Sequence, residues 1–143
     1  MDQKTLLLWI ATVFFWGISP ILEKIGLKNV DPLIGLCIRT ISALIAVVLF
    51  ILFTGQLEKF KFLNYKDIFY LSLSGITAGF LGMLFYFSLL KTHYASQAVP
   101  LTATYPLVVT FLAMIFLKEP ITSSKLIGTL LIVLGIYLLF RGE

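Results

Sequence analysis

The sequence predicts an all-α membrane protein with five transmembrane helices in one domain, residues 1–143, and three observations lead there. The chain of 143 residues is 59% hydrophobic and only 13% charged, with a mean hydropathy of +1.02; a soluble domain carries about 25% charged residues and about 45–50% apolar ones. Five apolar runs of span length follow one another. At about 20 residues per span they take about 100 residues and leave about 40 for tails and loops, too few for a separate soluble catalytic domain. These bounds exclude an ordinary soluble enzyme.

Residues 5–22 carry no charge and follow a head holding Asp2 and Lys4. The run is longer than the apolar region of a signal peptide, about 7–15 residues, and no small-residue cleavage motif follows, so it reads as a retained first helix. Pro20 removes a helical hydrogen bond near its end. Glu23, Lys24 and Lys28 then bring the chain to the interface, with Glu23 expected as a partner of Lys24 or Lys28. Pro32 suits the first turn of a second helix, which runs to about Phe53 with Arg39 as its one charge; Thr54, Gly55 and Gln56 end it. Residues 57–66 alternate Lys59, Lys61 and Lys66 with Phe60 and Phe62, the pattern of a short amphipathic stretch at the headgroups.

The third run, residues 68–90, places Gly75, Gly79 and Gly82 along one face. Small residues at that spacing predict a close helix–helix contact. The fourth, residues 95–117, is the most polar and irregular: it holds Gln97, Thr102, Thr104 and Tyr105 with Pro100 and Pro106, and Lys118, Glu119 and Pro120 stop it. Thr122, Ser123 and Ser124 are N-cap candidates for the fifth helix, which reaches about Phe140 and carries Gly128 and Gly135 seven apart on one face as further packing positions.

With five spans the termini lie on opposite sides. One side holds Lys4, Lys59, Lys61, Lys66, Lys118 and Lys125; the other holds Lys24, Lys28, Lys91 and Arg141, with Arg39 if it snorkels there. The excess favours the amino terminus inside. So small a bias also suits a protein that inserts both ways and pairs antiparallel, as an inverted repeat made of two chains. The formal charge of +4 comes from basic residues scattered in short connectors, which fits flanks of membrane spans and not a nucleic-acid surface.

No catalytic, metal or cofactor site is expected. His93 stands alone in a connector, Cys37 is a single thiol expected as a small core residue, and no phosphate loop or nucleophile motif occurs. All seven acidic residues fall at span ends or in loops, which weakens the case for proton-coupled export of lipophilic cations. Ionisable groups inside a bilayer mark function by default, and Arg39 lies about 10 Å into its run at 1.5 Å per residue. Two roles are open for it: binding a carboxylate or phosphate, or snorkelling and bonding carbonyls at a helix end. Gln97, Pro100 and Thr104 share one meridian of the fourth helix and Thr102, Tyr105 and Val109 another; with Trp9, Trp16 and Tyr86 they suggest an aromatic wall with few polar anchors, suited to a small organic solute.

At this point the sequence resembles the EamA domain of the drug/metabolite transporter superfamily. The resemblance rests on Trp16-Gly17, Arg39, Tyr86-Phe87-Ser88-Leu89, Tyr94-Ala95-Ser96-Gln97-Ala98, Leu101, Tyr105-Pro106, Leu117-Lys118-Glu119-Pro120, Ile127-Gly128 and Leu134-Gly135. It points to the short five-span branch of bacteria and archaea, hence to the inner membrane of a prokaryotic cell. The family implies two inverted five-helix units around one central site reached alternately from each side, so a single unit should pair with an identical copy or a paralogue. Trp16, Arg39, Tyr86, Gln97, Thr102 and Tyr105 become candidates for the cavity wall, and Glu119 resembles a structural loop glutamate. The implied activity is transport of small metabolites or drugs. Two rivals are a subunit of a flippase for a lipid-linked substrate and a non-transporting accessory protein.

Overall fold

The computed structural model describes residues 2–120 and 122–141, the side chains of 139 and 140 excepted, and every regular element among them is helical. Helix α1, Gln3–Gly26, is not ended by Pro20. One missing N–H near the end of a long apolar helix breaks one rung, and the helix continues through Glu23 and Lys24, which places both inside a segment apolar and long enough to cross a membrane. Helix α2, Pro32–Thr54, starts as the sequence predicts: Pro32 occupies the first turn and Asp31 caps it, its carboxylate accepting from the Leu33 N–H at 2.9 Å. Gly55 ends α2 at φ +67°, a left-handed conformation open to a residue without Cβ. The basic and aromatic stretch that follows forms a 3₁₀ helix, Gln56–Phe62.

Helix α3, Tyr65–Ser74, capped by Asn64, passes into a wide π-helical segment, Gly75–Gly82, and then into α4, Met83–Thr92. Together they form one 28-residue helical rod. The glycine face therefore has a different local outcome from the predicted one: a Cβ at Gly75 or Gly79 would meet nothing within 4 Å. Poor helix formers clustered in eight residues relax the backbone into a wider turn.

Residues 1–92 form one compact unit and residues 93–143 a second. In the first, α1 and α2 pack on α4. Leu27, Leu36, Phe87 and Leu90 are its buried apolar side chains. The close approach falls at Gly35, where a Cβ would sit 2.7 Å from Leu27 Cδ2 and 3.6 Å from the Phe87 ring. Two lysines tie the same end together across elements: Lys24 Nζ donates to the Leu90 carbonyl at 2.6 Å, and Lys91 Nζ donates to that of Val30 at 2.8 Å. Cys37 is exposed, not in the core, because α2 buries one narrow stripe at Leu36 and the next residue points about 100° away.

In the second unit, α5 (Ala95–Thr102) and α6 (Tyr105–Leu112) are separated by a turn, and α6 runs into a π segment, Ala113–Leu117. Pro106 lacks the N–H that would bond Thr102, so the helix opens there. The Thr102 and Thr104 hydroxyls donate to the carbonyls of Val99 and Leu101, each at 2.8 Å. Lys118, at φ +54°, turns the chain out of the π segment. Helix α7, Ser123–Arg141, packs on α5, and Thr122 caps it through an Oγ1 that accepts from the Lys125 N–H. A Cβ at Gly128 or Gly135 would meet nothing within 4 Å among the described residues.

Four helical segments, Gln3–Gly26, Pro32–Thr54, Tyr65–Thr92 and Ala95–Leu117, are long and apolar enough to span a bilayer, and Ser123–Leu138 is a shorter apolar helix. Large side chains such as Phe53, 91% exposed, look outward. In lipid that exposure carries no hydrophobic penalty, because acyl chains are as apolar as the side chains.

Candidate functional site

The first unit contains a cleft of about 470 Å³ between the carboxyl-terminal part of α1 and the first half of α2, floored by Phe87 of α4. Its size falls in the range of about 300–1,000 Å³ that small-molecule sites occupy. Its walls are mostly apolar, with Leu22, Leu27 and Ile38, and its polar groups are Ser19, Glu23, Arg39 and Ser42. The centre of the polar strip is an ion pair. Arg39 Nε donates to Glu23 Oε1 at 3.1 Å, and the same oxygen accepts from the Ser19 hydroxyl at 2.9 Å.

Helix periodicity explains the convergence. Ser19 and Glu23 are one turn apart on α1, so both face α2; Arg39 sits two turns into α2, one turn beyond Gly35, where the absent side chain lets Leu27 and Phe87 close in. Glu23 is the enclosed partner, its side chain 11% exposed, while that of Arg39 is 43% exposed. Tyr86 is half-buried on α4, its ring 6.2 Å from that of Phe87 and within electrostatic reach of Glu23 and Arg39.

The structure thus brings together two of the six predicted wall residues, Arg39 and Tyr86. Among the described residues Arg39 bonds Glu23 and so bridges two helices. Glu23, expected as a partner of Lys24 or Lys28, pairs with Arg39, and Lys24 donates to the carbonyls of Leu90 and Lys91. Trp16 is 68% exposed and does not line the cleft.

Gln97, Thr102 and Tyr105 belong to the second unit. There Gln97 Oε1 accepts from the Tyr94 N–H at 3.4 Å and so helps to cap α5, Thr102 bonds its own helix, and Tyr105 is 56% exposed. A smaller hollow of about 210 Å³ in this unit is bordered by Glu119 and Lys125, whose charges are 3.8 Å apart. Both side chains are 53% exposed, so this pair contributes little.

Sequence reasoning gave no place to Ser19, Gly35 or Phe87. A readable signal existed for the first: Ser19 and Glu23 lie four apart on one helix face, opposite the only charge in the next span.

An ion pair between two spans, at the edge of a small apolar cleft, is a feature of membrane proteins that handle solutes. The sequence profile of the EamA-like transporter family matches residues 3–141. The chain belongs to the EamA-like transporter family. It is therefore a multi-pass membrane protein of a transporter family, related to the drug/metabolite transporters. An uncharacterised protein of Methanocaldococcus jannaschii is 28% identical over 137 residues, which cover 96% of each chain. A protein of Sinorhizobium sp named as an uncharacterised transporter in the cobO 3′ region is 25% identical over 139 residues, 97% of this chain and 98% of its own. No solved structure matches the chain. Both relatives have about its length.

Proposed function

We propose that this EamA unit carries small metabolites or drugs across the inner membrane of a prokaryotic cell by alternating access, working as a dimer. The observation that carries the reading is the cleft beside the Glu23–Arg39 pair: a solute-sized hollow with charge and hydroxyl groups at its edge, inside helices of span length. Helix α7, at 19 residues, is within the range of about 17–25 residues that a span needs and supplies the fifth. With five spans, an identical copy inserted the other way gives the inverted repeat on which alternating access is built; a paralogue in fixed orientation does the same. The small residues Gly75, Gly79, Gly128 and Gly135, with open space over them, are the positions at which a partner's helices come closest.

Purified protein in liposomes tests this. A panel of radiolabelled small metabolites should include solutes whose flux needs the protein and whose addition raises its thermal stability; neither flux nor stabilisation by any of them sinks the proposal. Cysteine labelling of engineered loop sites in intact cells separates the dimers: both faces accessible for each loop supports the antiparallel homodimer, and a single accessible face leaves the paralogue. The 43% exposure of Arg39 also favours a second reading, a flippase subunit whose lipid-linked substrate enters sideways at that residue. Transfer of a fluorescent lipid-linked phosphate between leaflets, without flux of any soluble solute, would select it.

A further inference from the structure

We propose that Arg39 receives the oxyanion of a small organic acid through its terminal Nη edge, and that Glu23 takes up one proton as the anion enters. The inference rests on the transport reading and names its substrate class. Its basis is the way the arginine is bonded. Among the described residues Arg39 makes one hydrogen bond, from Nε to Glu23 Oε1, and both Nη nitrogens are without one. A guanidinium offers five donors in a planar fork matched to a carboxylate or phosphate. Here the protein uses one of them, on a residue that lines the cleft, and leaves the forked end unbonded among the described residues. The remaining walls, among them Leu22, Ile38 and Phe87, accept an apolar body.

Charge balance supplies the second half. Arg39 and Glu23 cancel each other before any ligand arrives. An entering carboxylate puts two anions on one guanidinium, and in a site where Glu23 is 11% exposed two carboxylates sharing a cation favour binding a proton. The proton comes from bulk water and settles on a Glu23 oxygen, where the Ser19 hydroxyl, 2.9 Å away, remains a hydrogen-bond partner to either form. The groups facing Glu23 are Ser19 on its own helix, Arg39 on α2 and Tyr86 on α4; Lys24 is turned to the carbonyls of Leu90 and Lys91. No covalent bond forms or breaks beyond the O–H on Glu23. One anion and one proton then occupy the cleft together, and both are carried when it changes sides.

The probe is benzoate, with benzylammonium as the control, titrated calorimetrically into wild-type protein in phosphatidylcholine nanodiscs in two buffers of different ionisation enthalpy. Benzoate should bind with uptake of about one proton per anion, and benzylammonium should not bind. Arg39→Lys, which keeps the charge and loses the fork, should weaken benzoate about tenfold. Glu23→Gln should bind benzoate at least as well as wild type, with no proton uptake. Benzoate binding without proton uptake in the wild type overturns the proposal, as does Arg39→Lys binding like wild type, or Glu23→Gln losing benzoate. The Glu23→Gln and Arg39→Lys variants nearly keep side-chain volume, so both are expected to fold. Repeating the titration with phosphatidylglycerol in the disc separates two sources of oxyanion: suppressed binding assigns the site to a lipid headgroup, and unchanged binding to a free solute. Liposome flux is read separately. Proton-linked binding without flux defeats the transport reading alone, and flux of benzoate that is indifferent to Arg39 defeats the anion site alone.

Discussion

Residues 1–92 and 93–143 differ in how far their charged side chains reach along the chain: Arg39 pairs with Glu23, sixteen residues away, and Lys125 with Glu119, six away. In the first region they connect elements: Arg39 of α2 to Glu23 of α1, Lys24 of α1 to the end of α4, and Lys91 to the turn before α2. In the second, Thr102 bonds Val99, Thr104 bonds Leu101 and Gln97 receives the Tyr94 N–H, local bonds of the kind that Thr12, Ser42 and Ser88 also make in the first. A hydroxyl bonded to a carbonyl three residues back is already satisfied and has become part of the backbone network. An arginine that uses one of five donors is not satisfied in that sense. The number of polar residues in a span therefore says little about where a solute binds; what matters is whether their partners lie on another element.

The largest effect expected from this contrast is on packing. Phe87 is 2% exposed and Tyr105 56% exposed. In lipid the transfer part of a large-to-small change shrinks, since acyl chains replace water, and the cavity and lost contacts remain. Phe87→Ala should then destabilise by about 2 kcal/mol, and Tyr105→Ala by no more than about 0.5 kcal/mol. Reversible unfolding in mixed micelles measures both; equal losses would remove the distinction between the regions.

The two ion pairs sharpen it further. A double-mutant cycle of Arg39→Gln and Glu23→Gln should return a coupling of about 1 kcal/mol, given a direct hydrogen bond and one enclosed partner. The same cycle on Lys125 and Glu119, 3.8 Å apart and half-exposed on both sides, should return about 0–0.5 kcal/mol. Gln97→Ala comes next: losing its bond to the Tyr94 N–H at the start of α5 should lower stability by about 1 kcal/mol without changing solute affinity. A loss of affinity at unchanged stability would return Gln97 to the cavity wall.

Much of this architecture was legible in the sequence, for reasons that particular residues display. Span positions follow from uncharged runs, and Pro32 after Asp31, Gly55, and Thr122 each set a helix boundary through a local interaction that needs no tertiary information. The break near Pro106 was readable on the same ground. The π segments were not: Gly75–Gly82 looks like a packing face, and its small and β-branched residues give no local sign that the backbone widens there. Glu23 was misplaced because Pro20 suggested an early helix end. Once α1 reaches Gly26, Glu23 turns from a loop charge into the partner of Arg39. Pairing between spans depends on which faces meet, and sequence periodicity assigns faces without saying which one meets which.

The smallest predicted effect has the opposite sign and compares two turns, one in each region. Both α2 and the π segment Ala113–Leu117 end in a left-handed residue, at φ +67° for Gly55 and φ +54° for Lys118. At Lys118 the turn is closed by the Glu119 N–H reaching back six residues to the Ala113 carbonyl at 3.3 Å, one residue wider than the bond of a helix end that normally carries glycine. A side chain in that conformation costs about 1 kcal/mol. Lys118→Gly removes that strain and also loosens the unfolded chain, which offsets part of the gain. The charge it deletes lies at a helix carboxyl end, where a cation is favourable by a few tenths of a kcal/mol. The net expectation is a gain of about 0.5 kcal/mol for Lys118→Gly, against a loss of about 1 kcal/mol for Gly55→Ala. Lys118→Asn, which tolerates the left-handed region, should fall between wild type and Lys118→Gly. If Lys118→Gly is destabilising instead, the lysine holds that turn through its charge, and the second region, like the first, depends on a cation at a helix end.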